Sequence, residues 1–168
     1  VFVLYVGLRY GWSTRTIGLA FAGVGIANVI VKGLLVKRIV RRIGERNALI
    51  AGALAGAAGF LIYATATTSW AFCAAIPVFA FIGLFGPSVQ GLMTRHVAPT
   101  EQGQLQGANG SIMAMAGLVG PGLFSAVFAW FIAPHRGLQF PGAPFLLASF
   151  LMLVAALIAW RVTRADAI

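Results

Sequence analysis

The chain has 168 residues, of which 60% are hydrophobic and only 9% are charged, with a formal net charge of +9 at pH 7. Such a low charged fraction excludes an ordinary soluble globular domain. The basic residues lie mainly in short segments between long apolar runs, which argues against a nucleic-acid-binding surface. Cys73 is the only cysteine, so an internal disulfide is excluded as well.

The apolar runs follow one another along the whole chain. Residues 1–8 would rise only about 12 Å as a helix, too short for a hydrocarbon core of about 30 Å. Five longer runs follow, each close to the length that a transmembrane helix needs. They cover residues 16–36, 48–66, 72–94, 105–131 and 143–160. Residues 1–168 are therefore predicted to form one all-α membrane domain of five full helices and the end of a sixth.

The start of the chain indicates that it is part of a longer protein. Val1 is not an initiator Met, and no charged segment with a small-residue cleavage site marks a signal peptide. We expect the chain to be the C-terminal half of a carrier whose N-terminal half is missing.

Lys and Arg are distributed unequally between the two ends of the predicted helices. One side receives Lys37, Arg38, Arg41, Arg42, Arg46, Arg95, Arg161 and Arg164, and the other receives only Arg9, Arg15 and Arg136. Cytoplasmic segments of membrane proteins carry this excess of positive charge. The first set and the C-terminus are therefore predicted to be cytoplasmic.

Several polar side chains lie inside the predicted spans, where exposure to lipid is costly. The candidates for lining a substrate cavity are Asn28, Lys32, Gln90, Gln106, Asn109 and Met113. Lys32 lies close enough to the charged end of its helix for its side chain to reach the interface instead. Gln106 and Asn109 could equally bond a neighbouring helix. These alternatives remain open at the level of the sequence.

Glycine and proline recur inside the spans. Small residues at helical spacing allow close approach of helix backbones in lipid, and they occur at Gly52, Gly56, Gly59, Gly107, Gly110, Gly117 and Gly120. Pro87 and the pair Gly120 and Pro121 are predicted to interrupt helical hydrogen bonding near mid-membrane. A bent helix around a central site and a static kink are both compatible with these residues.

No enzymatic function is predicted. Ser111 could act as a nucleophile only with a base within hydrogen-bond reach. His96 and His135 lie at opposite ends of the spans, and no third orienting group accompanies either of them. These residues and the single cysteine make no metal-ligand set.

Several motifs resemble the Major Facilitator Superfamily, and within it the tetracycline-resistance-like drug:proton antiporters. Residues 102–107, QGQLQG, match a block of that family, and residues 9–12, RYGW, are similar to its R-F-G-W. Residues 44–49, GERNAL, are similar to G-E-R-x-A-L, while residues 87–91 and 120–124 resemble P-A-L-Q and G-P-L-L-F. Residues 37–46 resemble the superfamily pattern G-x-x-x-D-R-x-G-R-R, which Arg42, Gly44 and Arg46 fit.

The resemblance implies a bacterial inner-membrane carrier that exports a drug or other amphiphilic small molecule in exchange for protons, by alternating access. It implies no cofactor, because the proton gradient supplies the energy, and its partners are the substrate, protons, the bilayer and the N-terminal half. The cytoplasmic segment would act as a latch against that half, through Lys37, Arg41, Arg42, Gly44 and Arg46.

The chain departs from the tetracycline exporters at three positions. Gly56 and Gly7 stand where those exporters carry acidic residues, and Asn28 stands where they carry a histidine. No carboxylate lies in any predicted span, so a proton-coupling acid would have to belong to the other half. The alternative to a transporter is a membrane helix module or half-carrier that transports nothing without a partner subunit.

Overall fold

A computed structural model describes residues 1–133 and 140–165 of the chain. Its α-helices are α1 Phe2–Tyr10, α2 Thr14–Ile30, α3 Val36–Thr65, α4 Ser69–Ala80, α5 Phe85–Arg95, α6 Gln102–Ile132 and α7 Ala143–Ala165. A π-helical segment, Val31–Leu35, joins α2 to α3, and a 3₁₀ segment, Phe81–Leu84, joins α4 to α5. The fold class predicted from the sequence is confirmed.

Within residues 1–133 and 140–165, four helical stretches are long and apolar enough to cross a membrane: Thr14–Thr65, Ser69–Arg95, Pro99–Ile132 and Ala143–Arg164. The first has 52 residues, and a straight helix of that length would span about 78 Å, more than twice the thickness of the hydrocarbon core. It is broken at Gly44, whose φ of 80° and ψ of 163° are not helical. The four stretches therefore provide the five crossings that the sequence predicts.

Hydrogen bonds hold the helices together at the end of the bundle where α1 ends and α4 begins. The Trp12 indole donates to Ser69 Oγ at 2.9 Å, and the Tyr10 hydroxyl donates to the Ala66 carbonyl at 2.8 Å. The Tyr5 hydroxyl donates to the Tyr63 carbonyl, also at 2.8 Å, within a buried aromatic cluster. These bonds satisfy polar groups that would otherwise face an apolar environment.

Residues 45–65 of α3 form the centre of the bundle, between α7 and the α4–α5 stretch. A Cβ atom at Gly52 would lie 2.7 Å from the Phe85 backbone nitrogen, and one at Gly59 would lie 2.9 Å from Phe79 Cα. A Cβ at Gly56 would meet Ile82 at 2.8 Å. The prediction that these glycines allow close helix packing is confirmed.

The opposite face of this helix segment packs against α7. The Ser149 hydroxyl, which is buried, donates to the Ala57 carbonyl at 2.8 Å. Gly142 lies directly against the Ala64 backbone, where a side chain would have no room. Residues 48–66 and 143–160 therefore pack closely against each other, while other side chains of the second segment, such as Leu153 and Ile158, are exposed.

Helix α6 packs much less closely. Only 6% of its most apolar 18-residue window is buried. No atom of the described residues lies within 4 Å of a Cβ built at Gly107, Gly110, Gly117 or Gly120. The close helix approach predicted at these four glycines is therefore not made within the described part of this chain.

The two predicted proline breaks have different outcomes. The 3₁₀ segment Phe81–Leu84 ends just before Pro87, whose missing N–H leaves the Gly83 carbonyl without its helical partner. By contrast, α6 remains helical through Gly120 and Pro121. Pro121 has no N–H to donate to the Gly117 carbonyl, so the predicted interruption is limited to one hydrogen bond and the helix continues past it.

Candidate functional site

Two irregular helical segments meet near the middle of the bundle. The π-helical segment contributes Val31, and the 3₁₀ segment contributes Leu84, to a small buried cluster completed by Val36 and Ala80. Such π segments within α-helices are found frequently at functional sites. The junction is therefore a candidate position for residues that act on a solute.

Lys32 lies across this junction. A Cβ at Gly83 would lie 3.2 Å from Lys32 Cγ and 3.4 Å from Lys32 Cε, so the lysine stem passes over the glycine. Gly83 is near the middle of the 27-residue stretch Ser69–Arg95. The Lys32 stem therefore packs at about the mid-depth of the neighbouring span, which favours the cavity interpretation of this residue over the interfacial one.

The Lys32 side chain is exposed, and it makes no hydrogen bond or ion pair with the described residues. Asn28 lies one turn away on the same face of the helix. Its amide nitrogen donates to the Val24 carbonyl at 3.0 Å, within its own helix. Asn28 and Lys32 thus form one polar group. We call the face of the bundle on which Lys32 is exposed the open side.

A second polar group lies between α5 and α6. The Asn109 amide nitrogen donates to Gln90 Oε1 at 3.5 Å, and both residues are partly buried. Gln106 and Met113 lie one turn away from Asn109, on the same helix face, and both are exposed. Asn109 therefore bonds a neighbouring helix, which was one of the two alternatives for it, while the Gln106 side chain is exposed.

The structure thus divides the predicted cavity residues into two groups. No hydrogen bond among the described residues joins Asn28 or Lys32 to Gln90 or Asn109. Asn28 and Lys32 lie near mid-membrane, whereas Gln90 is only five residues from the end of α5. A solute that touches both groups would extend over part of the membrane depth.

The predicted cytoplasmic loop is largely helical. Lys37, Arg41 and Arg42 lie in the first part of α3, which continues the crossing beyond the apolar residues, and all three are exposed. Gly44 alone makes the turn, and its positive φ is strained for any residue with a Cβ. The connection between the two crossings is thus a helical extension followed by a one-residue turn, because Lys and Arg are good helix formers.

The sequence did not predict the partners of the two residues after this turn. Arg46 Nε donates to Thr163 Oγ1 at 2.9 Å, and Glu45 Oε1 accepts from Arg95 at 3.0 Å. The Glu45 side chain is only 16% exposed. Its Oε2 and Ser88 Oγ are buried atoms for which the described residues supply no hydrogen-bond partner. The one available signal was an acidic residue among five basic ones.

The ion pair between Glu45 and Arg95 leads to a first prediction. Arg95→Gln should lower the free energy of unfolding by about 1 kcal/mol, because Glu45 then keeps a largely buried carboxylate without its charged partner. The loss should be smaller when Glu45→Gln is already present. Thermal unfolding in detergent of the two single variants and the double variant measures this coupling. Arg41→Gln, at an exposed cation, is the control, and equal losses in both backgrounds would contradict the prediction.

The serine-hydrolase arrangement is not formed by the described residues. The Ser111 hydroxyl donates to the Gly107 carbonyl at 2.9 Å, within its own helix. His96 Nδ1 lies 2.8 Å from the Leu92 carbonyl oxygen. His135 and Arg136 lie outside the described residues. No group of three or more metal-ligating side chains is found in residues 1–133 and 140–165.

Known proteins resemble this chain over most of its length. Residues 1–167 match the Major Facilitator Superfamily. The class C tetracycline resistance protein of Escherichia coli is 30% identical over 138 residues, covering 82% of this chain and 35% of that protein. The class H protein of Pasteurella multocida is 26% identical over 168 residues, covering 100% of this chain and 42% of that protein. No solved structure gives a significant match.

A relative outside the bacteria is also found. Mouse Hippocampus abundant transcript-like protein 1 is 25% identical over 172 residues, covering 94% of this chain and 34% of that protein. The chain therefore spans well under half the length of each of these curated relatives.

Four long apolar helical stretches among the described residues define a multi-pass integral membrane protein. The chain belongs to the Major Facilitator Superfamily. The predicted resemblance to its tetracycline-resistance-like members is confirmed. Membership in this superfamily favours a transporter over an enzyme.

Proposed function

We propose that this chain is the second half of a secondary carrier that exports an amphiphilic small molecule across the bacterial inner membrane by alternating access. The matched relatives named tetracycline resistance proteins support a drug-efflux role. The single observation that carries the proposal is Lys32, a cation near mid-membrane on the open side of the bundle that has no partner among the described residues. An ionisable side chain at that depth is costly, and it usually marks a solute or ion path.

The other half of such a carrier would cover the open side. The large exposed surface of α6, with its uncovered glycines, is suited to close packing against helices of a partner half. Transporters of this kind work by rocking of one half against the other around a central site. Lys37, Arg41 and Arg42 would then pair with acidic residues or helix C-termini of that half when the cytoplasmic side closes.

The polar side chains would have separate roles in such a carrier. Asn28 and Gln90 offer amide groups that can bond a polar substituent of the substrate, while the surrounding apolar surface takes its hydrophobic part. Export in exchange for protons is part of the proposal. Because no carboxylate lies within the five apolar runs of this chain, the proton-accepting acid would belong to the other half.

Substitution of the amides tests the proposal. Asn28→Leu and Gln90→Leu in the complete carrier should each reduce export severalfold while membrane abundance stays unchanged, because each removes a hydrogen-bonding group and keeps an apolar volume. Asn47→Leu is the matched control for the first, since Asn47 also bonds its own helix, at the Ile43 carbonyl. Gln104→Leu, at an exposed position of α6, is the control for the second.

Export is measured as energy-dependent efflux of a fluorescent amphiphilic compound from loaded vesicles. Normal export in both test variants would overturn the cavity assignment. If the unaltered complete carrier inserts and folds without any flux of a panel of amphiphiles, the non-transporting module becomes the better interpretation.

A further inference from the structure

A second, separate feature lies at the cytoplasmic ends of the helices. A groove of about 720 Å³ lies among four helices. Its walls are the part of α3 just after Gly44, the end of α5, the start of α6 and the end of α7. Its lining is almost entirely apolar, with residues such as Leu49, Val89, Leu105, Ala155, Ile158 and Val162. It contains none of the predicted cavity residues.

The rim of the groove carries a fixed cation. Thr163 lines the groove, and its Oγ1 accepts the Arg46 Nε–H at 2.9 Å. This bond uses one of the five guanidinium N–H donors. The terminal amino groups of Arg46 make no bond with the described residues, so they can donate to an anion close to Thr163.

The charge around the entrance is predominantly positive. Arg161 and Arg164 lie in the last turns of α7, with the Arg164 guanidinium 5.1 Å from the centroid of the Trp160 ring. His96 lines the groove at the end of α5. Among the described acidic residues at this end, Glu45 is paired with Arg95, and Glu101 is exposed before α6.

We propose that this groove binds one anionic glycerophospholipid, with an acyl chain between α5, α6 and α7 and its phosphate on Arg46. The distance along α7 from Thr163 to Ala155 is about 12 Å, which leaves an apolar channel well below the phosphate level. Arg is the preferred side chain for phosphate, because its planar fork can donate two parallel hydrogen bonds. The apolar lining of the groove favours a lipid over a soluble anion, and the cations near its entrance favour an anionic lipid over a neutral one.

Lipid binding would complete the packing of α6. Little of this helix is buried, and an acyl chain would fill the groove that Leu105 of α6 and Ile158 of α7 both line. The proposal rests on the groove and on Arg46, so it does not depend on whether the carrier exports a drug.

The test is a binding measurement on the full-length protein in neutral detergent. Phosphatidylglycerol and phosphatidylcholine of equal chain length are titrated separately, and bound lipid is counted by native mass spectrometry. We expect one phosphatidylglycerol to bind at least tenfold more tightly than phosphatidylcholine, and glycerol phosphate without acyl chains to bind negligibly. Equal affinity for the two lipids, or strong binding of glycerol phosphate, would overturn the proposal.

Paired variants locate the site. Arg46→Gln should weaken phosphatidylglycerol binding about tenfold, as loss of one charged hydrogen-bond donor implies, whereas Arg42→Gln, at an exposed cation, should leave it unchanged. Ala159→Trp, which fills the groove, should abolish the bound lipid, whereas Ala74→Trp on exposed α4 surface should not.

The Thr163→Val variant tests whether the orientation of Arg46, in addition to its charge, contributes to lipid binding. It removes the acceptor that holds Arg46 but keeps the charge, so a binding loss smaller than that of Arg46→Gln is expected. Gel filtration identifies any variant that fails to fold. Full phosphatidylglycerol binding by a folded Arg46→Gln protein, or by a folded Ala159→Trp protein, would place the lipid elsewhere and refute the assignment.

Discussion

Lys32→Met is expected to reduce export by the complete carrier at least tenfold, with membrane abundance unchanged. The methionine keeps the apolar stem that lies over Gly83, so the packing of the helix junction is preserved. What is lost is the charge near mid-membrane, where a cation is far more effective than in water because the local dielectric is low. The measurement is the initial rate of substrate efflux from energised vesicles.

Arg38→Met is the matched control for this experiment. Arg38 lies in the same continuous helix, in its exposed basic part beyond the apolar residues, and it is not among the cations assigned to pairing with the other half. We expect this variant to keep more than half of the export rate. If Lys32→Met exports normally, the ammonium group of Lys32 reaches the interface, and the residue serves only to anchor its helix.

Gly52→Val is expected to destabilise the helix bundle strongly. A side chain at this position would meet the Phe85 backbone nitrogen at 2.7 Å, and backbone cannot move aside as a flexible side chain can. Overpacking of this kind typically costs about 1–3 kcal/mol, and a backbone collision belongs at the upper end of that range. The variant should show a clearly lower midpoint of thermal unfolding in detergent, and reduced yield.

The control is Ala58→Val on the same helix. Ala58 is exposed, so its two additional methyl groups enlarge the helix surface without meeting a neighbour among the described residues. Equal midpoints for Gly52→Val and Ala58→Val would contradict the close contact between α3 and α5.

The sequence predicted the membrane spans well because the apolar runs are long and uninterrupted. Each predicted run coincides with a continuous helical stretch to within a few residues at most of its ends. The largest extension is at the basic segment, where the helix continues to Ile43. Composition shows where a helix leaves lipid, but a helix can continue into water when its residues favour it.

Much less of the site was predictable. Helical spacing correctly grouped Asn28 with Lys32 and Gln106 with Asn109, since residues on one helix need only the geometry of that helix. The contact of Lys32 with Gly83 and the bond between Asn109 and Gln90 depend on how separate helices pack. The pairs Glu45 with Arg95 and Arg46 with Thr163 join residues 50 and 117 positions apart. No local pattern in a single sequence encodes such distances.

The single-residue turn at Gly44 has a mechanical consequence. Helical structure continues from Thr14 to the residue before this glycine. The exposed cations and Lys32 are therefore part of one continuous helix. The basic end of this helix extends about 16 Å beyond Lys32, measured along the helix axis to Ile43. A force applied to its cations would therefore be transmitted along the helix to Lys32, which lies within the π-helical segment.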